Sequence, residues 1–156
     1  MRKQILHPKP AESSSSDAGW LDLEALARVE VTSEDEAHPI DSALMPGKEG
    51  GGWRAATPGE QTLRIIFDEP RRLTRIRLVF EAKEERFQEF VLVWSPESGE
   101  PREIVRQQYN FSPSGAGREV EQYNVDLAGV AALELRIVPD KNGNRAFASL
   151  AEWRLA

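Results

Sequence analysis

A chain of 156 residues is long enough to bury a hydrophobic core of its own and falls within the size of one domain. Its 26 acidic and 20 basic side chains leave a formal net charge of −6, which argues against a nucleic-acid backbone as the main partner, since phosphate binding needs a clustered basic face. No cysteine is present, which excludes disulfides, thiolate metal sites and cysteine nucleophiles and fits a reducing compartment.

The first 19 residues are polar, with Pro8, Pro10 and the run Ser13-Ser14-Ser15-Ser16, and read as a flexible lead-in to a domain spanning 20–156. Met1-Arg2-Lys3 starts basic without the apolar run of a signal peptide, and no stretch reaches membrane-spanning length. The expectation is a soluble, cytoplasmic protein with no membrane partner. Trp20, Leu21, Leu23 and Leu26 follow; the spacing of Leu23 and Leu26 permits a short helical turn, while Trp20-Leu21 equally suits an extended anchor.

The first clear strand is Ala27 to Ser33, with Val29 and Val31 on one face. A long connection from Glu34 to Gly59 carries Pro39, Pro46, Pro58 and the triplet Gly50-Gly51-Gly52 ahead of Trp53. A connection of this length without its own hydrophobic period is functional or packed as an ordered loop. Period-two segments then come quickly: Leu63, Ile65 and Phe67; Ile76, Leu78 and Phe80; Phe90, Leu92 and Trp94; Ile104 towards Phe111; Tyr123, Val125 and Leu127; Leu133, Leu135 and Ile137; and Ala151, Trp153 and Leu155. Arg75 and Arg77 alternate with Ile76 and Leu78, as the solvent face of a strand does. The pattern predicts eight strands in an all-β, antiparallel β-sandwich of jelly-roll type, with no sustained helix and no internal repeat.

Several pieces in sequence order resemble the discoidin, or coagulation factor V/VIII type C, domains of the galactose-binding-like superfamily, over about Leu26 to Leu155. Val29-Glu30-Val31-Thr32-Ser33 resembles the family's opening strand, and Pro39-Ile40-Asp41-Ser42-Ala43-Leu44 its Pro-Ala-x-Asn-Ala-Leu turn. Phe67-Asp68 with Leu73-Thr74-Arg75-Ile76-Arg77-Leu78, the hairpin from Phe90 through Ser95 and Gly99 to Ile104, Leu135-Arg136-Ile137 and Ala148-Ser149-Leu150-Ala151-Glu152-Trp153 match later strands. The resemblance implies a binding module, and it makes Trp53 a packing residue under the loops rather than a sugar platform. It also implies a structural calcium, but Met45-Pro46 stands where the family has Asp-Gly, and methionine offers no hard oxygen ligand. Asp41 and Glu152 are the weak metal candidates, with Glu49 able to substitute from a shifted loop; no cofactor is expected.

Candidate ligand contacts lie in the loops. Arg54 can fork two hydrogen bonds. The stretch Gln107 to Arg118 gathers Tyr109, Asn110, Phe111 and Arg118 beside glycines, a mix suited to carbohydrate or peptide, though Tyr109 and Phe111 serve equally to finish the core. Asp140 to Arg145, with Asn142 and Arg145, is first a turn around Asn142-Gly143. His38 enters because relatives place a loop histidine on the sugar, and Arg86 because relatives pair an arginine with an asparagine, here Asn110 or Asn124. Neither Glu34-Asp35-Glu36 nor Glu84-Glu85 shows a matched acid and base, so the reading is a non-catalytic module binding carbohydrate, or alternatively an intracellular protein-interaction domain of the same fold.

Overall fold

Leu63, Ile65 and Phe67 alternate with Thr62, Arg64 and Ile66, and the backbone follows that period: the first three are buried and the others half-exposed. The computed structural model describes residues 19–45, 51–112 and 117–156. The strands are β1 (Ala27–Val31), β2 (Trp53–Arg54), β3 (Gln61–Glu81), β4 (Arg86–Pro96), β5 (Arg102–Phe111), β6 (Arg118–Val138), β7 (Ser149–Leu150) and β8 (Glu152–Leu155), with one-turn helices α1 (Leu23–Leu26) and α2 (Asp41–Leu44). The all-β sandwich expected from the sequence is present. No helix among the described residues is long and apolar enough to cross a membrane. Residues 1–18 of the expected lead-in, together with Pro46, Glu49 and the 113–116 part of the Gln107–Arg118 loop, lie outside the described residues.

The strands divide differently from the expectation. The segments around 63–67 and 76–80 are two halves of the single 21-residue strand β3, and those around 123–127 and 133–137 are two halves of β6, also 21 residues. Asp68-Glu69-Pro70 looks like a turn in sequence, yet three register shifts between Ile66 and Arg75 let the β3–β6 pair bend there without leaving the ladder. Gly129, at φ +70°, lies on the β6 side of this bend. Conversely, β2 is a two-residue strand within the connection that reads as a loop, and the closing segment is split into β7 and β8.

The bend makes two layers from one ladder. The first contains β1, the N-terminal half of β3, the C-terminal half of β6, β4 and β5; the second contains β8, the C-terminal half of β3 and the N-terminal half of β6. Phe80 of the second layer meets Phe90 of the first with ring centroids 5.0 Å apart. Around this pair Leu63, Ile65, Ile76, Leu78, Leu92, Leu133, Leu135 and Trp153 are each fully buried. Each such side chain contributes on the order of 1.5–3 kcal/mol through removal from water.

The segment before β1 packs against this body. The Leu21 amide donates to the Leu155 carbonyl at 2.7 Å, Leu23 is buried, and the Trp20 ring stacks under the Arg75 guanidinium at 4.2 Å. Trp53 is buried as well, its indole Nε1 donating to the Ser33 carbonyl at 3.0 Å. A Cβ on Gly52 would sit 2.5 Å from the Leu150 carbonyl oxygen, and Gly52 has φ +94°. Only glycine lets β2 approach β7 this closely.

Candidate functional site

The β3–β4 turn, the start of β6, the β2–β7 pair and the turn at His38 converge at one end of the sandwich. Between them lies an open cleft of about 610 Å³, lined by Trp53, Ser149, Leu150, the small residues Gly51, Ala82, Gly117 and Ala151, and the polar side chains His38, Arg54, Glu81, Lys83, Glu84 and Arg86.

His38 reaches the cleft through a narrow backbone turn. Its amide donates to the Asp35 carbonyl at 2.8 Å, the Asp35 amide donates to the Arg54 carbonyl at 2.9 Å, and the Arg54 amide donates to the His38 carbonyl at 3.1 Å. This lacing holds His38 beside Arg54 although sixteen positions separate them. Imidazole Nδ1 lies 2.7 Å from Asp35 Oδ2, and because a carboxylate only accepts, Nδ1 carries a hydrogen; in the neutral ring Nε2 is then the acceptor.

Arg54 sits on β2, whose partner residue is Ser149, and its guanidinium lies over the Phe147 ring at 5.3 Å. Arg86 opens β4 with a side chain only 5% exposed. Its Nη1 donates to the Phe147 carbonyl at 3.0 Å, it lies 3.7 Å from Glu84, and its Nε is buried with no hydrogen-bond partner among the described residues. Burial pushes the Arg86 guanidinium down from its ordinary value, Glu84 opposes this, the charge of Arg54 adds to it, and Asp140 opposes it.

The structure thus brings His38, Arg54 and Arg86 together. Arg118 borders the cleft without lining it: its Nη1 lies 2.8 Å from Glu81 Oε2. Phe111 is buried, with the Arg86 guanidinium 5.9 Å from its ring centroid, and Tyr109 meets it edge-on at 4.9 Å while its hydroxyl donates to the Arg118 carbonyl. Both aromatics finish the core instead of offering a platform. Asn110 pairs with Phe87, one position along from the Arg86–Phe111 pair, so strand alternation turns it to the opposite face from Arg86. Asn124 pairs with Arg75 in the other layer, so the expected arginine–asparagine partnership does not form. Asn142 and Arg145 are exposed in the turn after β6, outside the lining. That turn is docked by Asp140, which accepts from the Phe87 and Asn142 amides.

Sequence reasoning missed Lys83 and Phe147; Glu84, read as a loop charge, is 71% exposed at the rim. A lone aromatic following the polar run Lys141 to Arg145 was the available signal for Phe147.

The described residues do not fit a calcium at the end of α2. Asp41 is exposed, the Glu152 carboxylate accepts from Arg77 Nε at 3.2 Å, and the Ala43 carbonyl already accepts from Arg154 Nη1 at 2.9 Å. A guanidinium on that carbonyl supplies positive charge where a metal would need oxygen. Among the described residues no cluster of three or more His, Cys, Asp or Glu side chains assembles.

No family model matches the chain, and no curated protein sequence matches it. In fold it is similar to several solved carbohydrate-binding modules. The family 32 carbohydrate-binding module of Clostridium perfringens NanJ, solved with galactose, superposes with TM-score 0.62 at 16% identity, over 87% of this chain and 96% of that one. A second Clostridium perfringens module, solved with GlcNAc-α-1,4-galactose, gives 0.60 at 18% identity over 93% and 100%. A pectin-binding carbohydrate-binding module gives 0.60 at 15% identity over 83% and 89%.

Proposed function

We propose that this chain is a non-catalytic carbohydrate-binding module that holds a sugar in the cleft between His38, Arg54 and Arg86. The observation that carries the reading is the pairing of two forked donors with one imidazole acceptor in an open cleft of about 610 Å³, a size suited to one or two sugar rings. Sugar hydroxyls both donate and accept, so arginine donors and the His38 Nε2 acceptor suit them. Recognition rests on hydrogen bonds, since Trp53 is buried and Phe147 carries Arg54 on its face.

Solved modules of this fold hold galactose and GlcNAc-α-1,4-galactose, and the sequence likeness to discoidin domains supports the same kinship. A non-catalytic role accords with the cleft carboxylates: Glu81 pairs with Arg118 and Glu84 with Arg86, which leaves no acid and base flanking a bond.

Calorimetric titration with a saccharide panel tests the reading. Binding is expected, weakened but still measurable on Arg54→Ala and His38→Ala while both variants keep the parent melting temperature. A flat response to every neutral and acidic saccharide would overturn it in favour of a protein-interaction domain.

A further inference from the structure

The cleft is positive on a chain that is negative overall. We infer that it selects a sugar bearing a carboxylate, a hexuronic acid unit of an acidic polysaccharide, through Arg54 and Arg86 with Lys83 at the rim; this rests on the reading of the cleft as a sugar site.

The formal net charge of the chain is −6, yet three cations line the cleft against two carboxylates. Each carboxylate faces an arginine other than Arg54, which leaves Arg54 and Lys83 as the excess charge of the cleft. Glu81 is taken up at 2.8 Å by Arg118, itself a fourth cation at the border, and Glu84 is 71% exposed and 3.7 Å from Arg86. Behind the cleft, Asp35 is bound to His38, and Asp140 accepts from two backbone amides. Arg54 and Lys83 have no ion-pair partner among the described residues, and the stacking of Arg54 on Phe147 leaves its in-plane N–H groups for another acceptor.

Arg86 supplies the second, independent observation. Its guanidinium is buried, its Nε has no hydrogen-bond partner among the described residues, and Glu84 at 3.7 Å is its ion-pair contact there, so a carboxylate in the cleft would add a counter-charge to an under-compensated buried cation. A carboxylate offers two coplanar oxygens that match a guanidinium fork, so one anionic group can meet Arg54 and add a negative charge beside Arg86 and Lys83. A neutral hydroxyl fills a donor but leaves the excess positive charge of the cleft in place.

The test is calorimetric titration of the full chain at low salt with trimers of galacturonate and mannuronate and with glucuronate, each beside its carboxyl-reduced counterpart and its methyl ester. At least one acid is expected to bind about tenfold or more tightly than both neutral forms, and to lose that advantage near 1 M salt as the charges are screened. Arg54→Ala should bring the acid and its ester to equal affinity, and Arg54→Lys should restore only part of the gap. Equal binding of acid and neutral forms by the parent chain would overturn the charge preference and leave the sugar-binding reading standing. Tighter binding of a sulfated galactose than of every uronate would overturn the carboxylate assignment. No binding of any saccharide would overturn both readings.

Discussion

Arg154 reaches from β8 to the carbonyl of Ala43 at 2.9 Å, joining positions 111 apart in the sequence. It is 9% exposed and ties the last strand to the end of α2. Removing it leaves a buried carbonyl without a donor, at a cost of about 1–3 kcal/mol. Arg154→Ala is therefore expected to lower the melting temperature by about 3–10 °C, given that about 1 kcal/mol shifts a domain of this size by a few degrees. Excess chelator should leave the parent melting curve unchanged, since the guanidinium supplies this cross-link; a chelator-induced fall would contradict the assignment.

Gly52→Ala should damage both the fold and the cleft. The added methyl would meet the Leu150 carbonyl oxygen at 2.5 Å and the Ala151 Cα at 2.7 Å, on a backbone at φ +94°. The strain is expected to cost about 1–3 kcal/mol. Because β2 also carries Arg54, saccharide affinity should fall together with stability, whereas Gly51→Ala meets nothing within 4 Å and differs only by its φ of +71°. Urea melts and titrations of the two variants check the contrast.

Glu119 predicts an alkaline loss of stability. It is 5% exposed on β6, and its carboxyl is pushed up to about 8 by burial, then by the hydrogen bond and charge of Glu121. The folded chain thus keeps a proton between the ordinary value of 4.5 and about 8 that the unfolded chain gives up. Stability should fall as pH rises through that window, because the folded state binds more protons there. Glu119→Gln should flatten the slope and raise stability at pH 8, as read from urea midpoints at pH 5 and pH 8.

Glu89 acts in the opposite direction. Lys141, Gln108 and Arg106 donate to its carboxylate at 2.7, 2.9 and 2.7 Å and hold it down to about 2. The stability this provides is present above 4.5, where the unfolded carboxyl is already charged, and is lost as pH falls through about 2. Glu89→Gln should move the midpoint of acid unfolding to higher pH. Lys141→Ala should move it the same way, and the double variant should shift it by less than the sum of the two.

The layered architecture was legible because Leu63-Ile65-Phe67 and Leu133-Leu135-Ile137 hold a strict period of two, which forces one face of each strand into a core. The continuity of β3 through Asp68-Glu69-Pro70 was not, since a bulged strand and a turn draw on the same residues and only the partner strand distinguishes them. His38, Arg54 and Arg86 were each nameable as candidates, but their meeting depends on the Asp35–Arg54 lacing and on the approach of Gly52 to Leu150, both non-local. Tyr109 and Phe111 show the converse. Their composition suited a binding loop equally well, but Phe111 is buried against Arg86 and Tyr109 packs half-buried against Phe111, so both belong to the core.

The two 21-residue strands that run through both layers make the body a folded ribbon rather than a pair of separable plates. Parting the layers would require bending two paired backbones at once, and β3 and β6 both end beside the cleft, at Glu81 and Arg118. On the proposed function, a saccharide would meet cleft walls anchored on this ribbon. Selectivity would then reside in which side chains line the rim, and a different sugar preference would be reachable by exchanging a few of them without disturbing the ribbon beneath.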